Sequence, residues 1–286
     1  MVFKKLFKIL PFLALLRLPG CPTPPQPGDM DAAGREKAAL AWNSFLANSA
    51  RAGEQAAPFN ATLSVRYKTP EEGERFGAYF WSNLERQGSG APAQPLRLDI
   101  LGAMNATAAM AYEDESVFLL YDTENNLAYR TDGSAESLMR LGLPLPLRLA
   151  DLARLLNGRY AAFFLGDSDG DGAPGPHLVS SVGPENVFAL TSGRGGELVL
   201  DQAGRPLRWL ESGSGSGGDG WIFEFFYPVG AQAGQLNLPG PLRLQASHTD
   251  GYSVTVSVKN LNAPARPFTP EQLRLNLPDT VKIKQS

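Results

Sequence analysis

Hydrophobic and polar positions alternate with different periods along this chain, and the changes of period outline its elements. Between residues 31 and 50, Ala38, Trp42, Phe45 and Leu46 fall at i, i+4, i+7 and i+8. That spacing predicts a helix with Trp42 and Phe45 on one apolar face. The period then shortens to two. Residues 61–68 (ATLSVRYK) place Leu63, Val65 and Tyr67 on one side of a strand, and 96–101 (LRLDIL) alternate in the same way. An aromatic strand over 76–86 and shorter strands over 106–112, 116–121 and 127–130 complete a first set. Polar turns at 113–115 and 122–126 divide them. Helical spacing returns at 135–141, with Ser134 as its N-cap, and again at 149–156, ended near Gly158; the turn Gly142-Leu143-Pro144-Leu145-Pro146 separates the two. Strands over 187–191, 197–201, 207–211, 221–227, 242–247 and 252–259 follow, then a short helix over 271–275 and an extended tail over 280–283.

This order predicts a mainly β fold of about ten to twelve strands. Meandering strands at this spacing suit one large antiparallel sheet that curls on itself into a half-open barrel. An N-terminal helix and a lid of short helices would cover the apolar inner face. The 30 Gly and 23 Pro residues among 286 fit many turns and few long helices. No internal repeat is visible.

Residues 1–20 follow another pattern. Lys4, Lys5 and Lys8 precede an apolar run over 9–16, and Gly20 stands before Cys21, the one cysteine of the chain. This is the layout of a secretory signal peptide, and the run is too short to span a bilayer. A single cysteine allows neither an intramolecular disulfide nor a cysteine metal cluster. Residues 22–28 (PTPPQPG) form a proline-rich tether that holds a domain away from a surface. The domain itself is expected over 31–286. The net charge is −3, and four units more negative without the leader cations Lys4, Lys5, Lys8 and Arg17. With no basic stripe, nucleic-acid binding is not expected.

Leu18-Pro19-Gly20-Cys21 resembles a bacterial lipobox, although Pro19 and Arg17 depart from the usual pattern. The resemblance implies cleavage before Cys21 and acylation of that cysteine, with acyl chains as the membrane anchor. Pro22, where an aspartate would signal retention, implies passage to the outer membrane.

A second resemblance runs through 80–158. Phe80-Trp81 closes an aromatic strand, 96–101 lead into the turn Gly102-Ala103-Met104-Asn105, and Ala106-Thr107 opens the next strand. The helix 134–141, the GLPLPL turn and Asp151-Leu152 to Leu155-Leu156 before Gly158 then follow in order. This series resembles the LolB-type outer-membrane lipoprotein receptor and, more broadly, the LolA/LolB fold. The resemblance implies an apolar cavity for the acyl chains of lipoproteins, delivered by a LolA-like periplasmic carrier. It also implies a monomeric, lipid-anchored protein on the periplasmic side of the outer membrane, and a membrane-insertion residue at Met104. Candidate cavity-lining residues are Trp42, Phe45, Phe80, Trp81, Leu138, Leu141, Leu152 and Leu155, each equally suited to a sealed core. A lipid- or peptide-binding sensor or assembly module of the same fold is the alternative to a delivery receptor.

Chemical motifs add little. Asp167-Ser168-Asp169-Gly170-Asp171-Gly172 matches the first half of a calcium loop, but the twelfth position is Leu178 instead of a bidentate acid. His177 and His248 lack a metal-binding spacing, the glycine-rich stretches lack a phosphate-binding context, and no nucleophile elbow occurs. No enzyme activity, cofactor or metal is expected.

Overall fold

The first helix, α1 (Ala32–Glu54), buries one stripe made of Ala38, Ala41, Trp42, Phe45 and Ser49, while Leu40 and Leu46 on its other side face solvent. A computed structural model describes residues 32–83, 95–102, 106–114, 116–131, 147–165, 178–182, 187–191, 196–211, 220–228 and 240–285. The leader, Cys21, the tether, Met104, the helix expected over 135–141 with Leu138 and Leu141, the Asp167–Gly172 motif, His177 and the Gly/Ser stretch 212–219 lie outside the described residues.

Six strands follow α1: β1 (Phe59–Lys68), β2 (Gly73–Ser82), β3 (Leu96–Leu101), β4 (Thr107–Glu113), β5 (Phe118–Asp122) and β6 (Leu127–Thr131). Each pairs antiparallel with the next. Two short helices, α2 (Leu149–Leu156) and α3 (Tyr160–Phe164), precede a second meander. It comprises β7 (Leu178–Val182), β8 (Val187–Thr191), β9 (Glu197–Leu200), β10 (Pro206–Leu210), β11 (Trp221–Phe226), β12 (Arg243–His248) and β13 (Ser253–Asn262). The chain ends in α4 (Pro270–Leu273) and β14 (Lys282–Gln285).

The two meanders join where β13 pairs with β1, giving, among the described residues, one 14-stranded sheet in the order β14-β6-β5-β4-β3-β2-β1-β13-β12-β11-β10-β9-β8-β7. Among the described residues β7 and β14 pair on one side only, so the sheet is open. A strongly twisted sheet of this width curls, which gives the half-open barrel that the alternating pattern predicts. Two strands exceed expectation. The sequence pattern misses β7, and β14 pairs with β6 in parallel, not antiparallel.

This topology explains the helical cover. β6 lies near one end of the sheet and β7 forms the other, so the chain between them must cross the full width. The crossing carries α2 and α3, whose apolar residues settle on the inner face. That face is continuous from strand to strand. Ala111, Leu98, Phe80 and Ala61 lie opposite one another across β4 to β1, and Phe76, Val65, Val256, Leu244 and Phe225 do so across β2, β1, β13, β12 and β11. With α1, α2 and α3 the others form one buried cluster, against which Val65 and Phe76 pack partly buried.

The outer face carries a second, smaller core. Tyr121, Ala128 and Leu275 are buried there with Met110, Tyr112, Leu119, Leu277 and Val281 against them. The C-terminal strap supplies Leu275, Leu277 and Val281 before it adds β14.

Candidate functional site

The site is built from the helices that roof the inner face. α2 is strongly amphipathic: Leu149, Leu152, Leu155 and Leu156 are all buried. Each such leucine contributes about 1.5–3 kcal/mol on transfer from water. α3 and α1 cover the other half with aromatic rings. Trp42 stacks on Phe45 at 5.1 Å, Phe45 meets Phe164 at 6.3 Å, and Phe163 and Phe164 stand edge-on to Trp209 of β10 at 5.5 and 5.7 Å. Trp209 in turn packs on Phe223 of β11 at 5.0 Å.

Polar contacts hold this roof at a few points. Glu113, the last residue of β4, is 2% exposed on the inner face. Its carboxylate accepts hydrogen bonds from the backbone amides of Leu149 (2.7 Å) and Ala150 (3.4 Å) and pairs with the Arg148 guanidinium at 3.2 Å. An anion at a helix N-terminus satisfies amides that have no partner within the helix and meets the positive end of its dipole. Burial nevertheless pushes the Glu113 carboxyl above its ordinary value, outweighing Arg148 and the two amides that favour the charged form. The sequence pattern assigned Glu113 to a polar turn; the turn is made instead by Asp114, which accepts from the amides of Ser116 and Val117.

α1 is fixed differently. Gly204, in the turn between β9 and β10, has φ +74, and a Cβ there would lie 2.3 Å from the amide nitrogen of Phe45 and 2.6 Å from the carbonyl oxygen of Ala41. Only glycine permits this approach of turn to helix. Beside it the Asn48 side chain donates to the Ala203 carbonyl at 3.0 Å, and the Ser49 hydroxyl accepts from the Ala161 amide at the start of α3 at 2.8 Å.

Of the candidate lining residues, Trp42, Phe45, Phe80, Leu152 and Leu155 belong to the one buried cluster under the helices. Trp81 does not. Adjacent strand residues point to opposite faces, so Trp81 lies on the outer face with Tyr79 at 5.9 Å and the Arg97 guanidinium at 5.4 Å from its ring. His248 contacts Trp221 at 5.1 Å, and its Nδ1 accepts from the Asp250 amide at 3.2 Å. Among the described residues no cluster of metal-ligating side chains occurs, and no helix is long and apolar enough to cross a membrane.

Among the described residues the cover is incomplete where β1 turns into β2. Val65, Tyr67 and Phe76 are only partly buried there against the cluster. Leu101 pairs with Gly77 at this same end, and the Gly102 amide donates to the Ala106 carbonyl at 2.8 Å to close the β3–β4 connection that contains Met104.

At another border the cluster turns polar. Tyr160, at the start of α3, meets Tyr227, just past β11, edge to face at 6.5 Å. The Arg205 guanidinium lies 5.1 Å from the Tyr227 ring centre. Burial pushes both phenols above their ordinary value, so both are protonated at neutral pH. Residues 159–165 carried no assignment in the sequence pattern, and nothing local marks Glu113, Arg205 or Tyr227 either. The run Tyr160-Ala161-Ala162-Phe163-Phe164 was the available signal for α3.

An open, mostly antiparallel sheet with a largely apolar inner face, roofed among the described residues by α1, α2 and α3, has known counterparts. A LolA superfamily protein from Nitrosomonas europaea superimposes with a TM-score of 0.51, 10% identity, 82% of this chain covered and 98% of the other. The fold is LolA-like. A domain provisionally described as an outer membrane lipoprotein-sorting protein, from Vibrio parahaemolyticus, gives 0.52 at 12% identity over 80% of this chain and 95% of its own. A DUF1329 family protein from Desulfovibrio piger gives 0.51 at 8% identity over 83% and 99%. No family model and no curated relative matches the chain. At these identities the LolA-like likeness is one of fold.

Proposed function

We propose that this chain is a lipoprotein of the outer membrane, anchored through acylated Cys21, that receives lipoprotein acyl chains from a LolA-like periplasmic carrier and passes them into the membrane. One observation carries the reading: an apolar stripe runs from strand to strand across the inner face of a LolA-like sheet, and helices α1, α2 and α3 roof it. Parting such a roof exposes a surface that an alkyl chain can cover in place of the protein's own side chains. Delivery then needs only a gradient of affinity from carrier to receptor to bilayer, with no reacting group. Trp42, Phe45, Phe80, Leu152 and Leu155 are the described residues proposed to meet the chains, with Leu138 and Leu141 on the preceding segment. Met104 is proposed as the insertion residue because its connection closes at the partly covered end beside Val65 and Phe76, where a chain would leave.

The test is depletion of the protein in its own cells together with transfer from a loaded carrier in vitro. A receptor leaves lipoproteins stranded short of the outer membrane when depleted, and Met104→Glu slows transfer while leaving acyl-chain binding intact. Normal lipoprotein distribution on depletion, with acyl binding retained, would replace delivery by the sensor or assembly role.

A further inference from the structure

Among the described residues, the hydroxyls of Tyr160 and Tyr227 are two buried polar atoms that the fold leaves without a hydrogen-bond partner. Tyr160 is 4% exposed, and neither its hydroxyl nor that of Tyr227 reaches solvent. The two hydroxyls approach each other without closing a hydrogen bond of ordinary geometry, and among the described residues neither has another partner. Even a perfect bond between them would leave one O–H donor unmatched, because each phenol carries one proton. Buried donors are nearly always satisfied, and an unmet one costs about 1–3 kcal/mol. The surroundings point to an acceptor from outside the chain. Arg205, beside the Tyr227 ring, is held to Asp201 through Nε at 2.7 Å, so its terminal amino groups stand outside that pair. Phe163 and Phe164 follow Tyr160 along α3, and Phe164 meets Phe225 of β11, the strand that ends just before Tyr227, so the pair borders an apolar wall. Two phenolic donors and a guanidinium at the edge of an apolar interior match one kind of molecule, an alkyl chain ending in a carbonyl or carboxylate oxygen.

We infer that Tyr160 and Tyr227, backed by Arg205, form a polar anchor for the acyl carbonyl or carboxylate of a bound chain, fixing which end of the ligand enters the protein. This rests on the acyl-binding reading above and adds an orientation to it.

The test uses the full chain with Cys21→Ser, so that no attached acyl group competes, and follows displacement of a polarity-sensitive naphthylamine dye by palmitate or by hexadecane. The two share a tail and differ in the oxygen-bearing end. The double variant Tyr160→Phe/Tyr227→Phe removes only the hydroxyls. The expected result is palmitate affinity weakened about tenfold with hexadecane displacement unchanged. Its ligand-free melting temperature should stay level or rise, since unmet donors have been removed. Equal affinity for palmitate before and after the change, or equal losses for both ligands, overturns the anchor while leaving acyl binding in place. A clear fall in ligand-free melting temperature also overturns it, because the hydroxyls would then be serving the fold. Failure of the unsubstituted pair to displace dye with either ligand rejects the acyl-binding reading itself.

Discussion

The carboxylate of Glu113 and the backbone amide of Leu149 meet at 2.7 Å, tying the end of β4 to the first turn of α2 across 36 residues of sequence. The bond fixes one end of a roof helix that buries Leu149, Leu152, Leu155 and Leu156. At the other end of α2, a Cβ on Gly240 would lie 2.4 Å from the carbonyl oxygens of Leu155 and Leu156, so the chain passes close beneath it. α2 is therefore located by a polar contact at its start and a close backbone approach at its finish.

Removing the side chain tests the first of these. Glu113→Ala leaves the Leu149 amide buried without an acceptor and frees Arg148, whose side chain is 41% exposed and can turn to water. The expected loss is about 2 kcal/mol of stability, mostly from the unmet amide. Glu113→Gln retains an acceptor oxygen and should lose less. Denaturant unfolding at neutral pH measures both, and a loss under about 0.5 kcal/mol for the alanine variant would show that the contact is dispensable.

The same residue sets an expected pH dependence. The folded carboxyl of Glu113 is raised above its ordinary 4.5, with burial as the main cause. A raised group contributes stability that is fully present below its unfolded pKa and is lost as pH rises through the folded value. Stability should therefore decline as pH rises from about 4.5 toward neutrality, and Glu113→Gln should flatten that slope. Asp114 and Asp122 act in the opposite sense and a lower window. Burial pushes each up, but hydrogen bonds from Ser116, Tyr112 and Val117 to Asp114, and from Asn125 and Glu124 to Asp122, leave both below 3.8. Their contribution is lost as pH falls through those lowered values. Unfolding curves across the acidic range check the signs; an unaltered slope in the glutamine variant would assign the upper limb to another group.

Gly204 makes a sharper prediction. Gly204→Ala places a Cβ where Phe45 nitrogen and Ala41 oxygen already stand, at a φ of +74 that alanine resists. Turn and helix must separate, which should cost at least about 2 kcal/mol from overpacking and backbone strain together. Because Trp42 stacks on Phe45, near-ultraviolet circular dichroism should report the shift of α1. A variant with native stability and an unchanged aromatic signal would mean that α1 adjusts freely over the turn.

How far the sequence revealed this molecule depends on whether each contact is local. α2 was legible in full, because Leu149, Leu152, Leu155 and Leu156 mark a helical stripe within eight residues. β3 was equally legible from its alternation. β2 was read too late in the chain, because its first residues Gly73, Glu74 and Arg75 are exposed and held only by pairing with β1. β7 (LVSSV) lacks an alternating apolar signature and exists through its pairing with β8. The site followed the same rule. The buried aromatic and leucine positions stood out by period, whereas Glu113, Tyr227 and Arg205 gain their roles from partners distant in sequence.

The C-terminal strap offers the last prediction. Asn83, beyond the end of β2 and 5% exposed, donates from Nδ2 to the Phe268 carbonyl at 2.7 Å and accepts from the Phe268 amide at 2.8 Å. One side chain thus copies a pair of strand-to-strand hydrogen bonds and docks the strap just past the end of β2. Farther on, Arg97 donates to the Gln272 carbonyl at 3.1 Å while pairing with Asp99, and Asn126 donates to Thr280 just before β14. The strap keeps Tyr121 and Ala128 from water. Asn83→Ala should lose about 1–3 kcal/mol, because both bonds go at once and the Phe268 groups are left partly buried. Asn83→Asp retains an acceptor but sets a carboxylate against the Phe268 carbonyl, and should lose at least as much. Hydrogen exchange locates the effect: faster exchange in β14 and the strap, with β3 to β5 unchanged, is the expected pattern. Uniform acceleration across the sheet would mean that Asn83 supports the barrel itself and not the strap that wraps it.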